Sequence, residues 1–198
     1  MTFFYEFNFY LLVFLMLVSY LIGSISFGIV ISKLMNLGDL RSIGSGNIGA
    51  TNVLRTGSKK AAALTVILDG GKGFLTIHLA EVFFHPTYGL LAGMAVFFGH
   101  IYPLYHKFKG GKGVATFLGI IIALDPLVGS ITCGSWLCFA FISKKSSVAA
   151  LGCSLLTPIF FLINKADEKV ILSALLAIVI WNLHKANIKR LVLRTEPS

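Results

Sequence analysis

The sequence predicts an all-α integral membrane protein with seven transmembrane helices, its N-terminus outside and its C-terminus cytoplasmic. Hydrophobic residues make up 56% of the 198 residues, charged residues make up only 13%, and the mean hydropathy is +0.85. An ordinary soluble protein has about 25% charged residues, and a soluble core of this size cannot hide so much apolar surface. The composition therefore excludes a soluble enzyme, a disordered chain and a nucleic-acid-binding module.

Charged residues divide the chain into seven apolar segments, which we interpret as spanning helices because a span needs about 20 apolar residues. The first is longer than a signal-peptide core and follows no basic residue, so we expect it to be retained. No repeat or linker divides the chain, so residues 1–198 are expected to form a single membrane-embedded domain. The segments are residues 7–32, 61–80, 82–106, 113–124, 126–143, 146–164 and 170–184.

The placement of basic residues predicts the orientation and supports the short fourth segment. That segment gives a helix of only roughly 18 Å at 1.5 Å per residue. If it did not cross, however, Lys144 and Lys145 would move to the outer face. Seven crossings put most of the 17 basic residues inside, as the positive-inside rule prefers. The net charge of +9 is therefore mostly a topology signal.

Two glycine-rich loops on the predicted inner face are candidate anion sites. Residues 44–52 read GSGNIGATN and lie between Arg41 and Arg55; glycines allow successive N–H groups to converge on one anion. A tightly turned loop with topology-setting arginines is the alternative. Residues 107–113 read KFKGGKG and lead into the fourth segment, where a helix N-terminus favours phosphate. The alternative there is a positive-inside loop with helix-breaking glycines.

Three further features carry polar groups at or near the membrane. Asp69 and Lys72 share one helix face and can pair; a structural pair and an active-site pair are equally compatible with the sequence. His100, at membrane depth, is a packing residue or a site residue. A helix continuing past the last span places His184 and Asn187 on one face, although a simple basic amphipathic helix on anionic lipid fits the lysines there.

Together these features indicate a membrane-embedded site for a phosphate-bearing substrate at the cytoplasmic boundary. The chain has no Gly-x-Ser-x-Gly nucleophile motif and no carboxylate cluster for a catalytic Mg²⁺. A small organic-phosphate transporter and an assembly scaffold are the rival classes. A transporter usually shows paired repeats, which this chain lacks, and a scaffold leaves the ionisable residues Asp69 and Lys72 in the second span unexplained.

The motifs resemble those of the bacterial acyl-phosphate:glycerol-3-phosphate acyltransferases, the PlsY family. The resemblance rests on GSISFG at residues 23–28, GSGNIGATN at 44–52, LDGGKG at 68–73, GHIYPLYHKFKGGKGVAT at 99–116 and the segment 184–191, and it covers essentially the whole chain. Ser26 stands where the family commonly has proline, and Gly70 and Gly71 stand where bulkier residues often occur. These departures affect helix shape and remove no charged group.

The resemblance implies transfer of an acyl group from acyl phosphate to the 1-hydroxyl of sn-glycerol 3-phosphate, with no cofactor or metal. It implies acyl phosphate, glycerol 3-phosphate and membrane lipid as ligands, and a soluble acyl-phosphate-forming enzyme as a partner. The expected catalytic residues are Ser45, Asn47, Lys109, Lys112 and His184. The expected substrate-binding residues are Arg41, Gly46, Gly49, Thr51, Asn52, Asp69, Lys72, His100, Gly110, Gly111, Gly113 and Asn187.

Overall fold

The computed structural model describes residues 8–197, and this part of the chain is helical throughout its regular structure, without a β-strand. All seven predicted segments form helices; Phe7, where the first was expected to begin, lies outside the described residues. The α-helices are α1 (Phe9–Ser24), α2 (Phe27–Leu34), α3 (Ala50–Leu54), α4 (Lys59–Phe83), α5 (Pro86–Ile101), α6 (Val114–Leu124), α7 (Pro126–Ser143), α8 (Ser146–Ile163), α9 (Asp167–Leu183) and α10 (Lys185–Val192).

Helix length and hydropathy identify a multi-pass membrane protein. Within residues 8–197, five helical segments are long and apolar enough to cross a bilayer, and α9 with α10 makes a sixth if that pair, bent by 61°, counts as one span. Helix α6 has only 11 residues, a rise of about 16 Å against a hydrocarbon core of about 30 Å. The structure therefore supports five or six spans, and the seventh crossing and the orientation remain predictions. The five long spans are Phe9–Leu34, Lys59–Phe83, Pro86–His106, Pro126–Ser143 and Ser146–Ile163.

The first span is broken between α1 and α2. A helix end leaves its last carbonyls without intrahelical donors. Here the Lys72 amine reaches across from α4 and donates hydrogen bonds to the carbonyl oxygens of Gly23 (2.9 Å) and Ile25 (2.7 Å). Ser26 precedes α2 as its N-cap residue. The break therefore forms without a proline at this position, because a buried lysine supplies donors to the carbonyls.

Helix α4 is continuous, and one glycine on each helix, Gly73 of α4 and Gly119 of α6, allows α4 to lie close against α6. A Cβ atom on Gly73 would lie 2.6 Å from the carbonyl oxygen of Thr116, and one on Gly119 would lie 1.9 Å from that of Gly70. Helix α4 also packs on α5, which packs on α1, while α8 lies between α7 and α9. The close approach brings the buried polar side of α4 next to the start of α6, where the candidate site is found.

Candidate active site

A cavity of about 330 Å³ lies where the loop before α3, the start of α6 and the bend between α9 and α10 meet. Its remaining walls come from α4, α5, α7 and α8, and its apolar lining includes Val66 of α4, Leu118 of α6 and Trp136 of α7. The cavity is thus lined by both polar and apolar side chains. Most of the predicted site residues line it: Ser45, Asn47, Gly49, Thr51, Asn52, Asp69, His100, Lys112, Gly113, His184 and Asn187.

The loop of residues 44–52 is tightly turned and also faces the cavity. The interpretation as a tight turn and the interpretation as an anion site are therefore compatible. Gly46 has a φ of +69°, a conformation that few side chains adopt. The buried Asn52 amide donates to the carbonyl oxygen of Leu40 (2.7 Å) and accepts from the backbone N–H of Ser45 (3.1 Å). Asn52 therefore holds the loop in shape while Ser45, Asn47 and Thr51 line the cavity.

The glycine-rich loop before α6 is clamped against the end of α5. Backbone N–H groups of Gly110 and Gly111 donate to the carbonyl oxygens of Ile101 (3.0 Å) and His100 (3.2 Å). A Cβ on Gly111 would lie 2.3 Å from His100 Nε2. Gly113 has a φ of +79° and is the N-cap of α6. Of the five predicted residues of this loop, Lys112 and Gly113 line the cavity, at the N-terminus of a helix, where anions are favoured.

A buried triad forms the floor between α4 and α5. The Lys72 amine lies 2.8 Å from Asp69 Oδ1 and 3.0 Å from His100 Nδ1, and His100 Nδ1 lies 3.5 Å from the same carboxylate oxygen. The predicted pairing of Asp69 with Lys72 is thus confirmed. Asp69 and His100 reach the cavity, whereas Lys72 is directed toward the broken first span. The triad connects that break to the loop that carries Lys112.

A chain of polar contacts crosses the cavity from α6 to the C-terminal segment. Lys112 Nζ donates to Asn187 Oδ1, Asn187 Nδ2 donates to Glu196 Oε1 (2.6 Å), and Arg190 Nε donates to Glu196 Oε2 (2.6 Å). Burial and the positive charges of Arg190 and Arg55 lower the pKa of Lys112, whereas the negative charge of Glu196 acts to raise it. Burial alone would raise the pKa of Glu196, but its hydrogen bonds and the Arg190 charge outweigh burial and lower it.

His184 ends α9 at the bend that leads into α10. The helix does not continue straight past the last span as expected, but the bend still leaves both His184 and Asn187 on the cavity wall. His184 Nδ1 lies 2.8 Å from the carbonyl oxygen of Ile180, which accepts only, so Nδ1 carries the hydrogen. A neutral His184 ring therefore keeps Nε2 as a proton acceptor.

Six predicted residues do not line the cavity. Arg41 instead lines a separate cleft of about 700 Å³ with His106 and Lys107, and its guanidinium donates to the carbonyl oxygen of Lys109 (3.1 Å). Lys109 is exposed. These six residues either pack through their main chain or face other surfaces. They are Arg41, Gly46, Lys72, Lys109, Gly110 and Gly111.

Five polar residues outside the predicted set line the cavity: Arg55, Ser146, Ser147, Arg190 and Glu196. Arg55 was recognisable as the second arginine beside the 44–52 motif. Arg190 lies one helical turn after Asn187, so the i, i+3 spacing signalled its face. Ser147 and Glu196 carry no sequence signal, since only the tertiary fold brings them to the site.

The fold and this cavity define a multi-pass membrane protein whose site is lined by cationic, hydrogen-bonding and apolar side chains. Residues 13–194 match the glycerol-3-phosphate acyltransferase family, and the chain belongs to that family, in its PlsY form. It is similar to the glycerol-3-phosphate acyltransferases of Dinoroseobacter shibae (52% identity, covering 91% of this chain and 89% of that one) and Roseobacter denitrificans (49%, covering 91% and 90%).

The fold also matches solved structures of the family. The crystal structure of PlsY (YgiH), an integral membrane glycerol 3-phosphate acyltransferase, aligns in its glycerol 3-phosphate form with a TM-score of 0.90 at 36% identity. Its lysophosphatidic acid form aligns with a TM-score of 0.87 at 35% identity. Each alignment covers 94% of this chain and 94% of the solved one. The predicted family resemblance is therefore confirmed.

Proposed function

We propose that this acyltransferase moves an acyl group from acyl phosphate to the 1-hydroxyl of sn-glycerol 3-phosphate, giving lysophosphatidic acid and inorganic phosphate. The observation that carries the proposal is one cavity lined both by cationic, hydroxyl and amide groups and by apolar side chains. The two forms of the solved PlsY, with glycerol 3-phosphate and with lysophosphatidic acid, correspond to a substrate and a product of this reaction.

Acyl phosphate is a mixed anhydride and is already activated, so the protein has mainly to bind and align two anionic reactants. We assign Ser45, Asn47, Thr51 and the N-terminus of α6 to the acyl phosphate, where donors stabilise the charge of the leaving phosphate. Lys112 lies between these acyl-phosphate residues and the residues of α10, where its amine bonds to Asn187. The apolar wall formed by Val66, Leu118 and Trp136 accommodates the acyl chain.

Glycerol 3-phosphate is assigned to the side formed by His184, Asn187 and Arg190. Of the two arginines that flank the 44–52 motif, Arg55 lines the cavity and Arg41 faces the other cleft. We therefore assign Arg55, in place of Arg41, to the glycerol 3-phosphate. The hydroxyl oxygen bonds to the acyl carbon as the bond from that carbon to the phosphate oxygen breaks. The hydroxyl proton passes to a phosphate oxygen of the substrate or to Nε2 of His184.

We further propose that residues 1–198 act as a single domain with seven crossings, the N-terminus outside, and the cavity at the cytoplasmic face of a bacterial inner membrane. The placement of the basic residues supports this orientation. A soluble enzyme that forms acyl phosphate is the proposed source of the donor. Single cysteines at Lys144 and Lys165, introduced in a cysteine-free background, should be labelled from opposite faces of sealed vesicles.

The decisive experiment is to incubate detergent-purified protein with acyl phosphate and glycerol 3-phosphate and to detect lysophosphatidic acid. We expect product from the wild type and from Lys165→Ala, an exposed lysine far along the chain, and a loss of at least about a hundredfold in Lys112→Ala and Asn47→Ala. Near-normal turnover in both site variants would reject the assignment. Absence of product with phosphate uptake in proteoliposomes would instead support the transporter.

A further inference from the structure

Glu196 joins two side chains of α10 at the edge of the cavity. Its two carboxylate oxygens accept separately, Oε1 from the amide of Asn187 and Oε2 from Nε of Arg190, each at 2.6 Å. Both Glu196 and Asn187 are buried. A carboxylate that accepts from two donors on one helix face restrains both side chains, because rotation of either donor breaks its own hydrogen bond to the charged group.

The contact also determines which way the Asn187 amide points. Asparagine offers a carbonyl oxygen on one side and an NH₂ group on the other. Glu196 only accepts, so it selects the NH₂ group, and the amide oxygen is left facing the ammonium of Lys112. If the amide rotated by half a turn, its NH₂ group would face a cation and its oxygen would face a carboxylate.

We propose that Glu196 is a positioning residue of the acyl-transfer site: through Asn187 it holds the Lys112 ammonium at the cavity. The effect on turnover rests on the proposed function, whereas the effect on Lys112 does not. Glu196 does not itself touch the substrates in this assignment. Its role is to keep a binding amide and a binding ammonium in one arrangement before the two reactants arrive.

Charge supports the same role. The groups that face Lys112 are Arg55 beside α3, His184 and Arg190 on the α9–α10 side, and Glu196, while Asp69 and His100 line the same cavity from α4 and α5. Burial and the two arginines favour the neutral amine of Lys112, and Glu196 favours the ammonium. Loss of the Glu196 carboxylate therefore lowers the pKa of Lys112 further.

The test compares Glu196→Gln with Glu168→Gln, which removes the same charge from an exposed position at the start of α9. Glutamine can accept from one of the two donors but presents NH₂ to the other. We measure the pH at which Lys112 is half-modified by acetic anhydride, by mass spectrometry of its peptide, since only the neutral amine reacts. We also measure kcat, and the KM of each substrate, across pH.

We expect Glu196→Gln to move the Lys112 midpoint to lower pH and to reduce kcat by about tenfold or more, with Glu168→Gln matching the wild type. An unmoved midpoint, or an unchanged kcat, overturns the proposal. A wild type that makes no lysophosphatidic acid refutes the proposed function instead, and the modification measurement still decides the contact.

If Glu196→Gln does not fold, as judged by its melting in detergent, Glu196→Asp provides the test. Aspartate keeps the charge but is one methylene too short to hold both donors. It should preserve the Lys112 midpoint while lowering kcat. A wild-type kcat in Glu196→Asp would contradict the positioning role.

Discussion

The Lys72 amine lies 2.8 Å from the Asp69 carboxylate, and both side chains are buried. Removing one partner of a buried pair leaves an uncompensated charge and costs about 3–5 kcal/mol. Lys72→Met also removes two hydrogen bonds to the break in the first span. We therefore expect a large drop in the thermal midpoint in detergent, and a partial recovery in the double variant Lys72→Met/Asp69→Asn.

Lys165→Met is the control for this change, because Lys165 is exposed and its removal should leave the midpoint close to that of the wild type. If Lys72→Met melted at the wild-type temperature, the buried pair would not hold the first span to α4. The double variant separates the two contributions, since neutralising Asp69 removes the unpaired charge but does not restore the donors to Gly23 and Ile25.

Two glycines of α4 are expected to respond in opposite ways to the same substitution. A Cβ on Gly71 meets nothing within 4 Å, whereas one on Gly73 would lie 2.6 Å from the Thr116 carbonyl oxygen. Gly71→Ala should raise the free energy of unfolding by about 0.5–1 kcal/mol. Gly73→Ala should lower it by about 1–3 kcal/mol, because α6 has to move. Thermal melting in one detergent compares them directly, and equal effects would contradict the close packing of α4 on α6.

The sequence predicted the helices well because long apolar runs between charges have few alternative structures in a bilayer. It did not predict the break at residues 25–26, since no proline marks it and the stabilising Lys72 comes from another helix. The bend at His184 was also missed, since no proline or glycine marks it. Apolar length alone cannot show where tertiary donors replace helical ones.

The candidate site was predictable where residues cluster in one motif and was not where the fold joins distant segments. Ser45 and Asn47 share a short glycine-rich loop, so their placement on the cavity follows from local sequence. Arg41 and Arg55 flank that loop symmetrically, and only the three-dimensional path of the chain shows that Arg55 faces the cavity. Glu196 is polar and close to the end of the chain, with no periodicity to connect it to Asn187.

The apolar wall of the cavity should control binding of the acyl donor. Trp136 lines the cavity from α7 with Val66 and Leu118. Trp136→Ala removes much of this wall, so we expect the KM for acyl phosphate to rise about tenfold or more while the KM for glycerol 3-phosphate stays near that of the wild type. Phe83→Ala, which truncates an exposed aromatic side chain at the end of α4, is the control. A parallel rise in both KM values would place Trp136 outside a dedicated acyl-chain site.

Glu196 should also make the stability of the folded protein depend on pH in the acidic range. Its pKa is lower in the folded chain than its ordinary value of 4.5, because its hydrogen bonds and the Arg190 charge outweigh the effect of burial. The stability that this carboxylate contributes is therefore complete above pH 4.5 and is lost as the pH falls through the lowered pKa of the folded state. The gap in thermal midpoint between the wild type and Glu196→Gln should be widest at neutral pH and should close in acid. Glu168→Gln should show no such gap, and a Glu196→Gln gap that stayed constant with pH would mean that the ionised carboxylate does not stabilise the C-terminal segment.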